Sequence, residues 1–328
     1  MKTTSKLLAL IMVAVMLMAT MASCTVPTVD ENEEGVYTVG ICQLVEHVAL
    51  DAATQGFKDA LIDELGAENV KFNEQNAQND APTCATICNQ FVSDGVDLIM
   101  ANATPALIAA ASATKDIPIL GTSITEYGVA LEIDDFNGTV GGNISGTSDL
   151  APLKDQAEMI KEWFPEAKKV ALLYCSGEAN SQYQVDEVKK YLEAMDIEAN
   201  LYPFADSNDL SAVCTTAATD NDVVYVPTDN TVASNTGIID NICRPMNKPV
   251  IAGEEGICGG CGVATLSISY YDLGVTTGKM AAKILREEAK IEEMPVEYTT
   301  VTKKYNEEIC KALGITPVED YVAIEVAE

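Results

Sequence analysis

Histidine occurs once in 328 residues, as His47, and basic residues are few: 20 Lys plus Arg stand against 50 Asp plus Glu, for a net charge of −30 at pH 7. A single histidine excludes any multi-histidine metal centre and leaves a histidine-based triad only one candidate base. So acidic a surface repels phosphate backbones, and no basic cluster interrupts it, which argues against a nucleic-acid partner. Also missing are a G-x-S-x-G elbow, a P-loop and a G-x-G-x-x-G turn after the first apolar run, the local signatures of serine hydrolases, NTPases and dinucleotide enzymes. The expectation is a protein with no metal, no cofactor and no enzymatic activity.

What the chain does have is length and apolar content: at 48% hydrophobic residues it can bury two ordinary cores. It begins with a targeting device. Lys2 and Lys6 precede an apolar run from Leu7 to Ala22, broken only by Thr20 and too short for a comfortable membrane span. The order Met21-Ala22-Ser23-Cys24 resembles a bacterial lipobox, with Met21 where leucine is usual. That resemblance implies cleavage before Cys24 and lipidation of the cysteine. The following stretch TVPTVDENEEG has no periodicity and reads as a solvated tether. Residues 1–23 are thus assigned to a signal and 24–35 to an acidic tether. The expected location is outside the cytoplasm, held at the membrane by lipid.

From Val36 onward, short β-branched runs alternate with amphipathic stretches: VYTVGICQL, a helix from Leu50, VKFNEQNA, a helix near Cys84, DLIMA, a helix from Pro105, IPIL. The same order returns as KKVALLYC, a helix from Gln184, IEANLYPF, a helix near Leu210, DVVYV, a further helix, KPVIAG. Equivalent points such as Cys42 and Cys175, or Pro118 and Pro249, lie roughly 130 residues apart, so the repeat means two sibling domains. Strands alternating with helices predict an α/β fold with two doubly wound parallel-sheet lobes and a ligand cleft between them. The lobes are read as 36–145 plus 263–292 and 146–262 plus 293–328, the chain crossing about three times.

Ligands in such sheets sit beyond the carboxyl ends of the strands. Those ends carry Asn102-Ala103-Thr104-Pro105, Gly121-Thr122-Ser123-Ile124-Thr125, Cys175 through Ser181, and Pro227-Thr228-Asp229-Asn230. Most open a helix whose first N–H groups lack internal partners and accept a carboxylate without lysine or arginine. The same residue types also cap their own helices. Four such loops from two lobes favour a small polar ligand. Asp229, Glu178, Glu46 or Glu254 would meet an ammonium group, and His47 with Tyr127, Tyr183, Tyr270 or Tyr271 would meet a ring.

The strings VGICQLVEHVALDAATQGFKDAL, DLIMANATPALIAA, IPILGTSITE, SGEANSQ, VVYVPTDNTVAS and GGCGVATLSISYYDLG resemble the substrate-binding lipoproteins of ABC transporters, in the family whose characterised members bind tryptophan and other aromatic amino acids. The resemblance runs through residues 36–328. It implies a type I periplasmic-binding-protein fold that closes on ligand and docks on a membrane permease. By this resemblance the ligand contacts are Glu46, His47, Asn102, Thr104, Thr122, Ser123, Glu178, Asn180, Ser181, Asp229 and Asn230, and the partners are a small molecule, permease subunits and, through Cys24, a membrane.

Of the ten cysteines, lipidation of Cys24 would leave nine, an odd number that cannot all pair within the chain. Cys258-Gly-Gly-Cys261 has redox spacing, but glycines surround it ahead of a strand, whereas redox pairs open a helix after one. Two alternatives therefore stand beside an amino-acid receptor: a receptor for a sugar, nucleoside or signalling molecule, and a thiol oxidoreductase using Cys258 and Cys261.

Overall fold

The structure is a computed structural model describing residues 35–325; the signal segment and Cys24 lie outside the described residues. The chain opens with β1 (Tyr37–Gln43), α1 (Val48–Leu65), β2 (Val70–Asn76), α2 (Ala81–Asp94), β3 (Leu98–Asn102), α3 (Thr104–Ala113), β4 (Ile119–Ile124), the single turn α4 (Tyr127–Ala130) and β5 (Ile144–Ser148). It then repeats the order with α5 (Leu153–Trp163), β6 (Lys169–Cys175), α6 (Ala179–Ala194), β7 (Glu198–Phe204), α7 (Ser207–Asp220), β8 (Val223–Val226), α8 (Asn230–Ala233), α9 (Thr236–Cys243), β9 (Val250–Ala252), α10 (Glu255–Cys261) and β10 (Ala264–Ile268). The end comprises α11 (Tyr270–Leu285), β11 (Glu297–Tyr298), β12 (Val301–Tyr305), α12 (Glu307–Leu313) and β13 (Val322–Ala323).

Two sheets result, in the orders β11-β5-β4-β3-β1-β2 and β13-β12-β10-β9-β8-β6-β7. The core order β2-β1-β3-β4-β5 is matched by β7-β6-β8-β9-β10, so the sequence repeat is a structural one. All pairings are parallel except β10 with β12. Central strands are apolar on both faces, as β3, β8 and β10 are buried throughout, because helices cover both sides of a parallel sheet. The register aligns the strand ends: Gln43 pairs with Asn102, and Asn102 with Thr122. The loops after β1, β3 and β4 are thereby brought side by side at the point where strand order reverses, the usual crevice of such sheets.

The chain passes between lobes after β5, after β10 and between β11 and β12. These crossings shift the expected boundaries. Residues 264–268, assigned to the first lobe, form β10 of the second sheet, because the repeat needs its fifth strand there. Residues 297–298, assigned to the second lobe, pair with Thr147 and Ser148 of β5 as β11. Between these strands, α11 returns to the first lobe and packs on α1. The two helices approach so closely that a Cβ on Gly56, Gly274 or Gly278 would meet the backbone of Tyr271, Ala53 or Phe57. Cys258 and Cys261 also depart from expectation: despite its glycines, the segment is the short helix α10, started by the Glu254 carboxylate accepting the N–H groups of Gly256 and Ile257.

Candidate functional site

Two loops of the first lobe, three of the second and the crossovers after β5 and β10 meet between the sheets. His47, Ser123, Thr125, Asp149, Asn180, Asp229, Asn230, Glu254 and Tyr270 line this centre together with Leu50, Thr228 and Ala233. Asp149, Asp229 and Glu254 are all buried, and among the described residues lining the centre there is no lysine or arginine. Each is shifted in the same direction. Burial, reinforced by the nearby Glu178 charge, pushes Asp229 up to about 8 against the pull of its backbone hydrogen bonds. Burial raises Glu254 to about 7 and lifts Asp149 above the ordinary carboxylate range. Carboxylates crowded into low dielectric without a cation favour their neutral forms, and an incoming ammonium would reverse that preference.

The centre also holds unspent hydrogen-bonding capacity. Ser123 Oγ, Asn180 Oδ1 and Asp149 Oδ1 are buried without a hydrogen-bond partner. A buried polar atom left unpaired costs about 1–3 kcal/mol, so three at one place mark a site built to be filled. Strain sits in two first-lobe loops, the one that brings Ser123 to the centre and its neighbour after β3. Ser123 has φ 56° and Ala103 φ 88°, both in the region L side chains avoid.

The remaining expected contacts divide by what they touch. Asp229 caps α8, accepting from Val232 N at 2.9 Å, and its second oxygen accepts from Cys175 N at 2.7 Å. Glu178 lies outside the lining. Its carboxylate accepts from Asn230 N and Nδ2 and from Thr231 N and Oγ1 at 2.8–3.0 Å, so it fastens α8 to the start of α6. Ser181 is fully buried beside Asn180 and does not line the centre. Asn102 donates to Leu50 O at 2.8 Å and Thr54 Oγ1 at 3.0 Å, holding α1 against β3. Thr122 joins Thr147 and Thr277 in a hydroxyl chain behind the site, and Thr104 is buried outside it. Glu46 is exposed, since its neighbour His47 takes the inward position.

Asp149, absent from the expected contacts, lines the centre, and so does Tyr270, expected there against a ring. Asp149 follows β5 at the first crossover, and Tyr270 follows β10 at the second; the Tyr270 hydroxyl donates to Asp149 Oδ2 at 2.8 Å. Thr125 ends a string already recognisable as a strand terminus, whereas Asp149 follows a crossover strand, which carries no helix-start signal to single it out.

The lobes touch across the cleft. Asn79 Nδ2 donates to Thr231 Oγ1 at 3.1 Å, and His47 Nε2 lies 3.3 Å from Asn230 Oδ1. The Asn230 amide is oriented by its Nδ2 donating to Glu178, so Nε2 of His47 is the donor in the second bond. Burial lowers the His47 pKa, keeping the ring neutral in this role. Beside the centre, and sharing His47, Ala233, Glu254 and Tyr270 with it, lies a wider chamber of about 570 Å³.

Residues 38–326 match the family of ABC transporter substrate binding proteins. The chain belongs to that family. A tyrosine-binding protein of Clostridioides difficile is 38% identical over 283 residues, covering 84% of this chain and 81% of that protein. A Streptococcus pneumoniae ABC domain solved in complex with L-Trp superposes with a TM-score of 0.82 at 34% identity, covering 87% of this chain and 96% of the other. A ligand-free, open substrate binding protein with adhesive properties from Clostridium difficile gives 0.68 at 38% identity, over 89% and 100% of the two chains. The lower score goes with the higher identity, so sequence distance does not explain it. In the present structure the lobes are in contact, joined by the His47 and Asn79 bonds. A leucine binding protein from Thermotoga maritima, 12% identical with a TM-score of 0.62, shares the type I periplasmic-binding-protein fold alone.

All nine described cysteines are free and buried. Burial pushes the thiols of Cys258 and Cys261 well above their ordinary range, which works against the thiolate that exchange chemistry requires.

Proposed function

We propose that the chain is the lipid-anchored, extracytoplasmic receptor of an ABC importer, that it captures an aromatic amino acid, and that it performs no catalytic step. The observation that carries the ligand assignment is the set of three buried carboxylates without a lysine or arginine among the lining residues. An ammonium group supplies the missing charge. The ligand's carboxylate would then take the Ser123 and Thr125 hydroxyls of the first lobe, at loops next to a helix start, while the ammonium lies toward Asp149 and Asp229.

The centre as it stands leaves a cavity of about 10 Å³, the room of one water. A head group therefore enters with the lobes parted about their three crossings, and closure grips it. The side chain passes between His47, Ala233 and Tyr270 toward the wider chamber. The relatives' tyrosine and L-Trp support this choice of side chain, and Met21-Ala22-Ser23-Cys24 supports the anchor.

Titration calorimetry with L-tyrosine, L-tryptophan and L-phenylalanine, against ribose and adenosine, tests the ligand. Saturable binding of at least one aromatic amino acid is expected; binding of ribose or adenosine alone would replace this reading with the sugar or nucleoside receptor. For the anchor, incorporation of labelled palmitate should vanish in Cys24→Ala, and labelling that persists would remove Cys24 from the assignment.

A further inference from the structure

The closed arrangement treats the two parts of the inter-lobe space differently. At the centre it leaves about 10 Å³, whereas the adjoining chamber keeps about 570 Å³. Such a volume falls in the range that holds drug-sized ligands and is several times what one aromatic ring displaces. The chamber is walled on one side by the start of α1 and on the other by α10, with Ala52, Gly259, Gly260, Lys304 and Ile324 lying beyond the reach of the centre. Its walls are largely small or apolar. Among the described residues lining it, the one cation, Lys304, is already held by Glu255 Oε2 at 2.6 Å, so none of them offers a free positive charge to an anionic substituent. Val48 at its edge is 75% exposed, so the chamber reaches solvent.

We infer that this chamber is a side-chain compartment that admits amino acids far longer than tyrosine or tryptophan, provided the extension is neutral and aromatic or apolar. The inference rests on the assignment of the centre to an amino-acid head group and goes beyond it by setting the ligand class: closure examines the head and leaves the tail unexamined. Acidic extensions are refused, because Glu254 and Glu325 stand on the wall and Lys304 is already neutralised by Glu255.

The test uses O-benzyl-L-tyrosine, O-phospho-L-tyrosine and L-tyrosine with the full mature protein, by titration calorimetry. O-benzyl-L-tyrosine should bind within about tenfold of L-tyrosine, and O-phospho-L-tyrosine at least about a hundredfold more weakly. Ala52→Phe, which fills the far wall from α1, should weaken O-benzyl-L-tyrosine by about tenfold or more and L-tyrosine by no more than about threefold. Ile324→Trp narrows the same chamber from the second lobe and should give the same split if Ala52→Phe does not fold. Tight L-tyrosine binding with no binding of O-benzyl-L-tyrosine would overturn the inference and leave the function intact. Equal losses for both ligands in the two variants would also overturn it. No binding of any of the three, or of tryptophan and phenylalanine, would overturn the underlying reading instead.

Discussion

Glu178 and Asp149 are both buried carboxylates beside the cleft, one in the second lobe and one at the crossover out of the first, and their surroundings are opposites. Glu178 is saturated, its two oxygens taking four donors from Asn230 and Thr231. Asp149 takes the Tyr270 hydroxyl on one oxygen and leaves the other unpaired. A saturated carboxylate is architecture; an unsaturated one in a closed cleft is capacity held for a ligand. The second lobe thus builds a rigid wall at α8, while the crossover retains the adaptable charge.

The largest effect should come from breaking the wall. Glu178→Ala leaves two backbone N–H groups and two side chains without their acceptor. With charged hydrogen bonds worth about 1.5–3 kcal/mol each and not additive, a loss near 4 kcal/mol is expected. The urea midpoint should fall accordingly, and ligand affinity with it, because α8 carries Asp229 and Asn230. A loss below about 1 kcal/mol would erase the contrast between the two carboxylates.

Asp229 and Glu254 stand between the extremes, since each starts a helix yet lines the centre. Both have folded pKa values raised above the unfolded carboxylate range, to about 8 and about 7. Between the unfolded and folded values the native state holds a proton that the unfolded chain has released. Stability from this source is present at low pH and lost as pH rises through about 7 and then about 8. For a single such proton, the ligand-free protein should lose about 2 kcal/mol between pH 6 and 7.5. An ammonium ligand supplies the countercharge, so the slope should flatten when the ligand saturates the protein. Melting curves across this range, with and without L-tyrosine, read both slopes; identical slopes would mean the ammonium does not meet these groups.

Asp149→Asn sharpens the other side of the comparison. The variant keeps the size of the side chain and removes its charge, so stability should hold or rise slightly, while L-tyrosine affinity falls about tenfold, or about 1.4 kcal/mol. Calorimetry and a urea curve on the same preparation separate the two. A drop in stability with unchanged affinity would make Asp149 a structural carboxylate and remove it from the ligand's contacts.

The sequence made the lobes legible because the apolar runs and their repeat at roughly 130 residues are local signals, and parallel sheets buried on both faces write themselves as continuous apolar strands. It made residue types at the cleft legible for the same reason: loops at strand ends carry the polar chemistry. Which member of a loop turns inward was not legible. Glu46 and His47 are neighbours, and only the extended backbone at the start of α1 decides that His47 lines the centre. Asn102, Thr122 and Glu178 find their partners at Leu50, Thr147 and Asn230, pairings set by register between distant segments and not by nearby sequence. Asp149 escaped notice because it ends a crossover strand, where no helix start draws attention to it. The misplaced β10 has a similar origin, as a five-residue strand between two helices does not announce which sheet it joins.

The smallest expected effect concerns the contacts that bridge the lobes. His47 Nε2 meets Asn230 Oδ1 at 3.3 Å, a long bond between partly buried neutral groups, and the Asn230 amide is already held by Glu178. Such a bond contributes about 0.5 kcal/mol, and it exists only when the lobes are together. His47→Ala should therefore leave the urea midpoint unchanged and weaken L-tyrosine by about two- to threefold. Most of that change should appear as faster dissociation, because the bond forms after the ligand has entered. The neutral ring adds a second expectation: with the His47 pKa lowered by burial, dissociation should not accelerate between pH 8 and 7 through this residue. Stopped-flow dissociation of L-tyrosine from the native protein and the variant measures both. A loss greater than about tenfold would make the contact of His47 with the ligand side chain, and not the bridge between the lobes, its main contribution, and the contrast between wall and crossover would then have to include the start of α1 as a third binding element.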